Sequence, residues 1–156
     1  LTGNYISLSN EKYKNKIVIL QIMGSWCPNC MDETRLFAEL YKTYKDKGVE
    51  FIGLCFESNN YDESKARIER FVKQLNADYT FLYAGEVGNK SVLTVLPFMK
   101  DFKGYPTTIY LDREHRPLKV FTGFSGPGTG KYYEKLKAEI INYLDNYNPK
   151  TAQNGK

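Results

Sequence analysis

Two cysteines spaced three residues apart stand where the sequence changes from one hydrophobic pattern to another. Before them, residues 16–24 read KIVILQIMG, an apolar run that predicts a strand buried on both faces. After them, apolar residues recur at helical spacing over residues 31–44, and Gly48 ends the pattern. Pro28 falls at the first helical position, where an N–H would have no partner in any case. The segment SWCPNC, residues 25–30, therefore predicts a tight junction between strand and helix that carries both thiols.

The remainder of the chain alternates between strand and helix patterns. The predicted strands lie at residues 16–24, 49–57, 79–83, 107–112 and 117–124. The predicted helices lie at residues 28–47, 62–76 and 132–147. Residues 85–103 are ambiguous, with a possible helical turn at 91–96, and residues 1–15 are predicted to form a loop or a short edge strand. This order implies parallel strands with right-handed crossovers, followed by an antiparallel hairpin at the edge. We therefore expect an α/β fold, with a central mixed β-sheet flanked by helices on both faces.

Composition and charge limit the class of protein. The chain has 156 residues, of which 42% are hydrophobic, and this suits one globular domain with a substantial core. We expect this domain to span residues 1–148 and residues 149–156 to form a disordered tail. The net charge of +4 comes without a dense block of Lys and Arg, so nucleic acid is not an expected partner. No apolar run approaches the roughly 18 residues of a membrane span. A signal peptide is not evident either, so we expect a cytosolic protein, a mature chain or an excised domain.

A pair of cysteines at this spacing can belong to a metal site, a haem site, a structural disulfide or a redox centre. A zinc site usually needs four ligands, and only Cys55 and His115 could complete one here. A c-type haem needs CxxCH, but residue 31 is Met. A disulfide across so small a loop adds little stability. Redox chemistry is favoured, because the helix N-terminus stabilises a thiolate on Cys27 and places Cys30 to resolve a mixed disulfide. We expect no metal and no cofactor.

Several motifs resemble one family. WCPNC after a buried strand resembles the WCxxC active site of the thioredoxin fold, and GYPTTIYLD, residues 104–112, resembles that fold's cis-proline strand. The extracytoplasmic TlpA/ResA-like thiol–disulfide oxidoreductases are most similar. They share the run at residues 24–30, an acidic residue at position 33 and the PTT at residues 106–108. The resemblance covers roughly residues 4–147 and implies a thioredoxin-like fold with thiol–disulfide exchange as its activity.

The resemblance also implies roles for individual residues. Cys27 would be the nucleophile and Cys30 the resolving thiol. Pro106 would follow a cis peptide bond and face the disulfide, because a cis X-Pro bond usually marks a demanding turn. The alternative is an ordinary trans proline at the start of a strand. The residues that we expect to contact a substrate are Trp26, Pro28, Tyr105 and Pro106.

Proton transfer at the cysteines requires a further group. Thioredoxin carries a buried aspartate six positions before its first active cysteine, and Gln21 occupies that position here. The resemblance to the TlpA/ResA-like branch makes Glu33 the replacement, since a carboxylate near two sulfurs can raise their pKa and exchange a proton with them. The alternative is that Glu33 lies in the first helical turn and only interacts with the helix dipole. Glu57 is a weaker candidate and is predicted to be a loop residue, and Cys55 is predicted to be a small buried hydrophobe.

Two classes of function agree with these observations. The first is an enzyme that reduces disulfide-containing proteins and receives electrons from a membrane or thioredoxin-like donor. We expect it to be monomeric and to act in the periplasm or another extracytoplasmic compartment. The same chemistry in reverse would make it an oxidase or an isomerase, and the dipeptide between the cysteines does not fix the direction. The second class is a binding module that docks extended peptides beside Tyr105 and Pro106 without turnover.

Overall fold

Strands and helices alternate in the computed structural model, which describes residues 1–146. The strands are β1 (Ile17–Met23), β2 (Val49–Glu57), β3 (Thr80–Glu86), β4 (Thr107–Leu111) and β5 (Pro117–Thr122). The helices are α1 (Pro28–Tyr44), α2 (Tyr61–Gln74), α3 (Asn89–Val95) and α4 (Lys131–Asn146). Every predicted strand and the three predicted helices are present, with ends that differ by a few residues. In the segment that was ambiguous from the sequence, Asn89–Val95 forms α3.

The five strands form one mixed sheet in the order β3-β2-β1-β4-β5. Parallel pairing joins β1 to β2 and β2 to β3, whereas β4 runs antiparallel to both β1 and β5. The chain moves from β1 to β2 to β3 in a single direction across the sheet. Right-handed crossovers in that direction place α1 and α2 on the same face. The predicted mixed sheet is therefore confirmed, with β1 at its centre.

Helices cover both faces of the sheet, but unequally. On one face, α1, α2 and α4 contribute Phe37, Ile68 and Leu144 to a single apolar cluster. On the other face, α3 packs through Val92, and the loop residues Tyr13 and Phe102 fill the remaining space. The prediction of helices on both faces is confirmed, with three on one side and one on the other among residues 1–146. Within the same residues, no helix combines the length and the apolar character needed to cross a membrane.

Local sequence explains the junction between β1 and α1. Cys27 is the N-cap residue of α1 with an extended backbone, and Pro28 occupies the first helical position. The fixed φ of proline suits that position, and no hydrogen bond is lost there. Beyond the other end of α1, Gly48 adopts a left-handed φ of 78°, which glycine reaches without a steric penalty. The chain then enters β2 at once, so both ends of α1 are fixed by short connections.

Some details differ from the sequence-based expectations. Residues 1–15 contain turns but no strand. Glu33 lies in the second turn of α1 rather than the first, because it is the sixth residue of a helix that begins, as predicted, at Pro28. The predicted tail, residues 149–156, lies outside the described residues, as do residues 147–148 of the predicted domain.

Candidate active site

Cys27 and Cys30 form a disulfide across the first turn of α1, with their Cα atoms 5.2 Å apart. Cys30 is fully buried, whereas Cys27 keeps 6% of its surface exposed. The Sγ atom of Cys27 accepts a hydrogen bond from the main-chain N–H of Cys30 at 3.2 Å. A sulfur at this N-cap position faces the positive end of the helix dipole, which favours negative charge there. The two predicted cysteines are thus joined, and Cys27 is the more accessible of the pair.

Trp26, which directly precedes Cys27, packs against a second aromatic side chain, that of Tyr105. Trp26 is 42% exposed, and its indole Nε1 donates a hydrogen bond to the carbonyl of Phe56 at 2.9 Å. The two rings meet edge to face with their centroids 5.2 Å apart. The hydroxyl of Tyr105 accepts a hydrogen bond from the N–H of Gly88 at 3.2 Å. Each ring is therefore held by a polar contact, as amphipathic aromatic residues at binding surfaces commonly are.

The peptide bond between Tyr105 and Pro106 is cis, as predicted. Thr107, the first residue of β4, pairs with Ile22 of β1, so Pro106 lies beside the end of β1 from which the cysteine loop departs. Pro106 is buried, and its carbonyl accepts a hydrogen bond from the N–H of Gly123 at 2.7 Å. Pro28, the remaining residue predicted to contact a substrate, is exposed on the first turn of α1.

Glu33 is buried one turn after Cys30, on the same side of α1. Its Oε1 accepts a hydrogen bond from the hydroxyl of Thr108 at 2.7 Å, and its Oε2 accepts one from the side-chain amide of Gln21 at 3.0 Å. Burial raises the pKa of Glu33 to about 7, while the hydrogen bonds from Thr108 and Gln21 oppose the rise. This position does not suit a surface carboxylate that only interacts with the helix dipole. A carboxyl group with such a pKa can accept or return a proton near neutral pH.

Glu57 holds the loop that precedes the disulfide. Its two carboxylate oxygens accept hydrogen bonds from the main-chain N–H and the hydroxyl of Ser25, both at 2.7 Å. The prediction of a loop residue is wrong, because β2 extends to Glu57 and the side chain is fully buried. Next to Ser25, a Cβ on Gly24 would collide with the indole of Trp26. The loop from β1 to Cys27 is therefore fixed by a buried carboxylate and by a glycine that leaves room for Trp26.

The third cysteine, Cys55, is free and fully buried in β2. Burial, together with the charge of Glu57, raises the pKa of its thiol well above the ordinary value. The reactive thiolate is then disfavoured at neutral pH, which agrees with the prediction of a small buried hydrophobe. Over residues 1–146, no group of three or more His, Cys, Asp or Glu side chains is arranged to hold a metal ion.

Gln21 and Tyr79 are among the polar residues of the site that were not predicted as members of it. Gln21 was noted only because it replaces a carboxylate, yet its amide contacts both Glu33 and the carbonyl of Cys30. A single polar residue inside the apolar run of β1 was the available signal, since buried polar groups need partners. Tyr79, which donates a hydrogen bond to Gln21 at 3.0 Å, precedes β3 and carries no local signal. Its contact with Gln21 depends on how β3 joins the sheet.

Comparison with known proteins relates this geometry to a family. The profile of the Redoxin family matches residues 1–136 of the chain. The thiol–disulfide oxidoreductase ResA of Bacillus thuringiensis subsp. konkukian (strain 97-27) is 30% identical over 151 residues, which cover 96% of this chain and 72% of the relative. ResA of Bacillus subtilis (strain 168) is 31% identical over 121 residues, which cover 78% of this chain and 60% of the relative.

Solved structures give the same fold. A DsbF homologue from Corynebacterium diphtheriae superimposes with a TM-score of 0.66 at 27% identity and covers 91% of this chain and 79% of its own. A putative thiol:disulfide interchange protein DsbE from Chlorobium tepidum has a TM-score of 0.61 at 21% identity, covering 84% and 82% of the two chains, and supports the fold alone. The family profile, the relatives and the disulfide at the start of α1 all indicate the same family. The chain therefore belongs to the Redoxin family and is a thiol–disulfide oxidoreductase with a thioredoxin-like fold.

Proposed function

We propose that this chain reduces disulfide bonds of other proteins, with Cys27 and Cys30 cycling between dithiol and disulfide. One observation carries most of the proposal. The disulfide lies at the N-cap of α1, directly after Trp26, whose partly exposed ring packs against that of Tyr105. A cross-link across so short a loop contributes little to stability, so its position is better explained by exchange with a partner.

The first step would join Cys27 to the substrate. The thiolate of reduced Cys27 attacks one sulfur of the substrate disulfide, and a mixed disulfide forms. The other substrate sulfur leaves as a thiolate and takes up a proton. The thiolate of Cys27 is favoured by the helix dipole and by the N–H of Cys30, which lies 3.2 Å from its Sγ.

The second step would release the substrate. Cys30 gives its thiol proton to the carboxylate of Glu33 and attacks the Sγ of Cys27, and the remaining substrate sulfur leaves as a thiolate. Two electrons have then moved from the dithiol to the substrate disulfide. Glu33 suits this role because it is buried on the side of α1 that holds Cys30 and has a pKa near 7. When a donor reduces the disulfide again, Glu33 returns the proton to Cys30.

A substrate chain would lie against Trp26 and Tyr105, with Pro28 and Pro106 as further contacts. The exposed part of Trp26 offers apolar surface whose orientation is fixed by the contact with Tyr105. In related folds the residue before the cis-proline offers backbone hydrogen bonds to a bound chain, and Tyr105 holds that position. These features favour an extended segment of polypeptide around the substrate disulfide.

The proposed direction of electron flow, donor and location rest on the family resemblance. The TlpA/ResA-like branch supports a reductant that works in the periplasm or another extracytoplasmic compartment. Such a reductant needs a membrane or thioredoxin-like donor to restore its dithiol. We propose that the protein acts as a monomer and that residues 1–148 form one domain.

Reduction of insulin disulfides with dithiothreitol as donor tests the enzymatic part. We expect Cys27→Ser to abolish the activity and Cys30→Ser to accumulate the mixed disulfide. Cys55→Ala is the matched control, because Cys55 is buried and free, and it should keep the activity. Full activity in Cys27→Ser would contradict the proposal. A protein that binds the insulin chains but shows no turnover would be the peptide-binding module considered from the sequence.

Redox titration of the Cys27–Cys30 pair in glutathione and dithiothreitol buffers tests the direction. A midpoint potential of about −250 mV or lower would support a reductant. A value of about −120 to −180 mV would indicate an oxidase or an isomerase instead. If no two-electron couple titrates, redox chemistry at this pair is excluded.

A further inference from the structure

Gln21 is an unusual residue for the centre of this sheet. It lies in the middle of β1, is 1% exposed and is surrounded in sequence by the apolar side chains of IVILQIM. A buried amide of this kind is costly unless its donors and acceptors find partners. The partners of Gln21 lie on α1 and before β3, so the amide connects the helix of the disulfide to another part of the fold.

Hydrogen-bond chemistry fixes the orientation of this amide. The main-chain carbonyl of Cys30 can only accept, so the Nε2 atom of Gln21, 3.3 Å away, must face it. The same nitrogen lies 3.0 Å from Oε2 of Glu33 and 3.1 Å from Oγ1 of Thr34. Its two hydrogens serve the carbonyl and the carboxylate, which can only accept, whereas the hydroxyl of Thr34 can instead donate to Oε1 of Gln21 at 3.2 Å. On the opposite side, Oε1 accepts a hydrogen bond from the hydroxyl of Tyr79 at 3.0 Å. The amide therefore presents a donor, not an acceptor, to the carboxylate of Glu33.

We propose that Gln21 and Tyr79 are positioning residues for the proton-transfer carboxylate of this site. Gln21 holds Glu33 to the main chain of Cys30 and favours its ionised form. Tyr79 holds Gln21 in that orientation from the other side and polarises its N–H bonds, as cooperative hydrogen-bond chains do. Their effect on the proton affinity of Glu33 stands on the geometry alone, whereas their effect on catalysis rests on the proposed function.

The other ionisable groups around Glu33 do not stabilise its ionised form, so hydrogen bonds must do so. They are Cys30 on α1, Tyr110 on β4, and Tyr79, which is in turn influenced by Cys55 on β2. Each of these groups is neutral when protonated and negative when not, so none offers a positive charge to an ionised Glu33. Burial raises the pKa of Tyr79 well above its ordinary value, so its hydroxyl stays protonated and able to donate.

Carboxyl-carbon NMR of the oxidised protein tests the proposal directly. Glutamate labelled at the side-chain carboxyl carbon would report the titration of Glu33, with its signal assigned through Glu33→Gln. Because Cys27 and Cys30 are in the disulfide, their thiols do not titrate and do not disturb the curve. The test variants are Gln21→Met, which keeps the length of the side chain, and Tyr79→Phe. Tyr41→Phe is the control. Tyr41 belongs to the same aromatic cluster, but its hydroxyl donates a hydrogen bond to Glu50 at 3.1 Å and not to Gln21.

We expect the titration midpoint of Glu33 to rise by about one to two pH units in Gln21→Met, because a hydrogen bond to a charged group is lost. Tyr79→Phe should raise it by about half a unit, through the weaker effect of a second bond in the chain. Tyr41→Phe should leave it unchanged. If Gln21→Met does not fold, the comparison of Tyr79→Phe with Tyr41→Phe still tests the proposal. Tyr79→Phe without a shift beyond Tyr41→Phe would overturn the role of Tyr79, and an unmoved midpoint in Gln21→Met would overturn that of Gln21.

The pH profile of insulin reduction separates this inference from the proposed function. If Glu33 exchanges the proton of Cys30, the limb of the profile that reports Glu33 should move in each variant with the NMR midpoint. A midpoint that moves while the profile does not would leave Gln21 and Tyr79 as positioning residues and refute the catalytic role of Glu33. A purely structural role for Gln21 would lower the rate at every pH without moving the profile.

Discussion

The loss of a proton from Glu33 should make the folded protein less stable as the pH rises towards and through neutrality. Its pKa rises from 4.5 to about 7 on folding, mainly because the side chain is buried. Between these two values the folded protein holds a proton that the unfolded chain has lost, so the free energy of unfolding falls with increasing pH. The rise in pKa corresponds to about 3 kcal/mol, and the 3% exposure of Glu33 leaves little solvent screening to reduce it.

Glu33→Gln isolates this contribution, because glutamine keeps the shape of the side chain but does not titrate. Urea unfolding of both proteins, with the Cys27–Cys30 disulfide intact, would be compared at about pH 4 and about pH 8.5. Between these conditions the wild type should lose about 3 kcal/mol more than the variant. Groups that titrate in both proteins cancel in this difference. Glu39→Gln, the same change on an exposed position of α1, is the control and should behave like the wild type.

Equal losses in the wild type and in Glu33→Gln would refute the reasoning. Glu33 would then be ionised in the folded protein at the same pH as in the unfolded chain, and its buried position would not control its proton affinity. Its proposed exchange of a proton with Cys30 near neutral pH would lose its physical basis.

Two further predictions concern the loop that carries Trp26. Glu57→Gln replaces one of the two oxygens that face Ser25 with a donor, so we expect urea unfolding to show a loss of about 1–3 kcal/mol. Ser25→Ala removes only the hydroxyl bond and should lose about 1 kcal/mol, and a larger loss in Ser25→Ala than in Glu57→Gln would contradict the assignment. Gly24→Ala places a methyl group against the indole of Trp26, so we expect a changed emission spectrum from this single tryptophan and slower insulin reduction. An unchanged spectrum would show that the loop accommodates the methyl group.

The region around the cysteines was predictable because its signals act over short distances in the sequence. The apolar run of β1, the proline after Cys27 and the glycine at position 48 each determine backbone geometry within a few residues. The same holds for the paired strands β4 and β5, which are joined by a tight turn. The cis state of the Tyr105–Pro106 bond was predicted through the family resemblance, not from its own residues.

Burial of individual carboxylates was harder to predict. Asp32 and Glu33 are neighbours of the same charge, yet Asp32 pairs with Arg35 near the surface while Glu33 lies in the core. Helical spacing from Cys30 assigns Glu33 to the inner side, but it does not show that Gln21 and Thr108 will meet it there. Those contacts depend on the order of strands in the sheet. The buried position of Glu57 likewise depends on a contact between distant segments, because both of its oxygens face Ser25 in the loop after β1.

Because Glu33 lies on α1, its hydrogen bonds can connect the disulfide to the strand of the proposed substrate contact. Glu33 takes its hydrogen bonds from Gln21 on β1 and from Thr108 on β4, two residues after the cis-proline. The carboxylate therefore joins the helix that carries the disulfide to the strand that begins at the proposed substrate contact. Any displacement at the start of β4 would change the distance from Thr108 to Glu33, and with it the proton affinity of the carboxylate. The proposed substrate contact and the proposed proton transfer consequently share one strand.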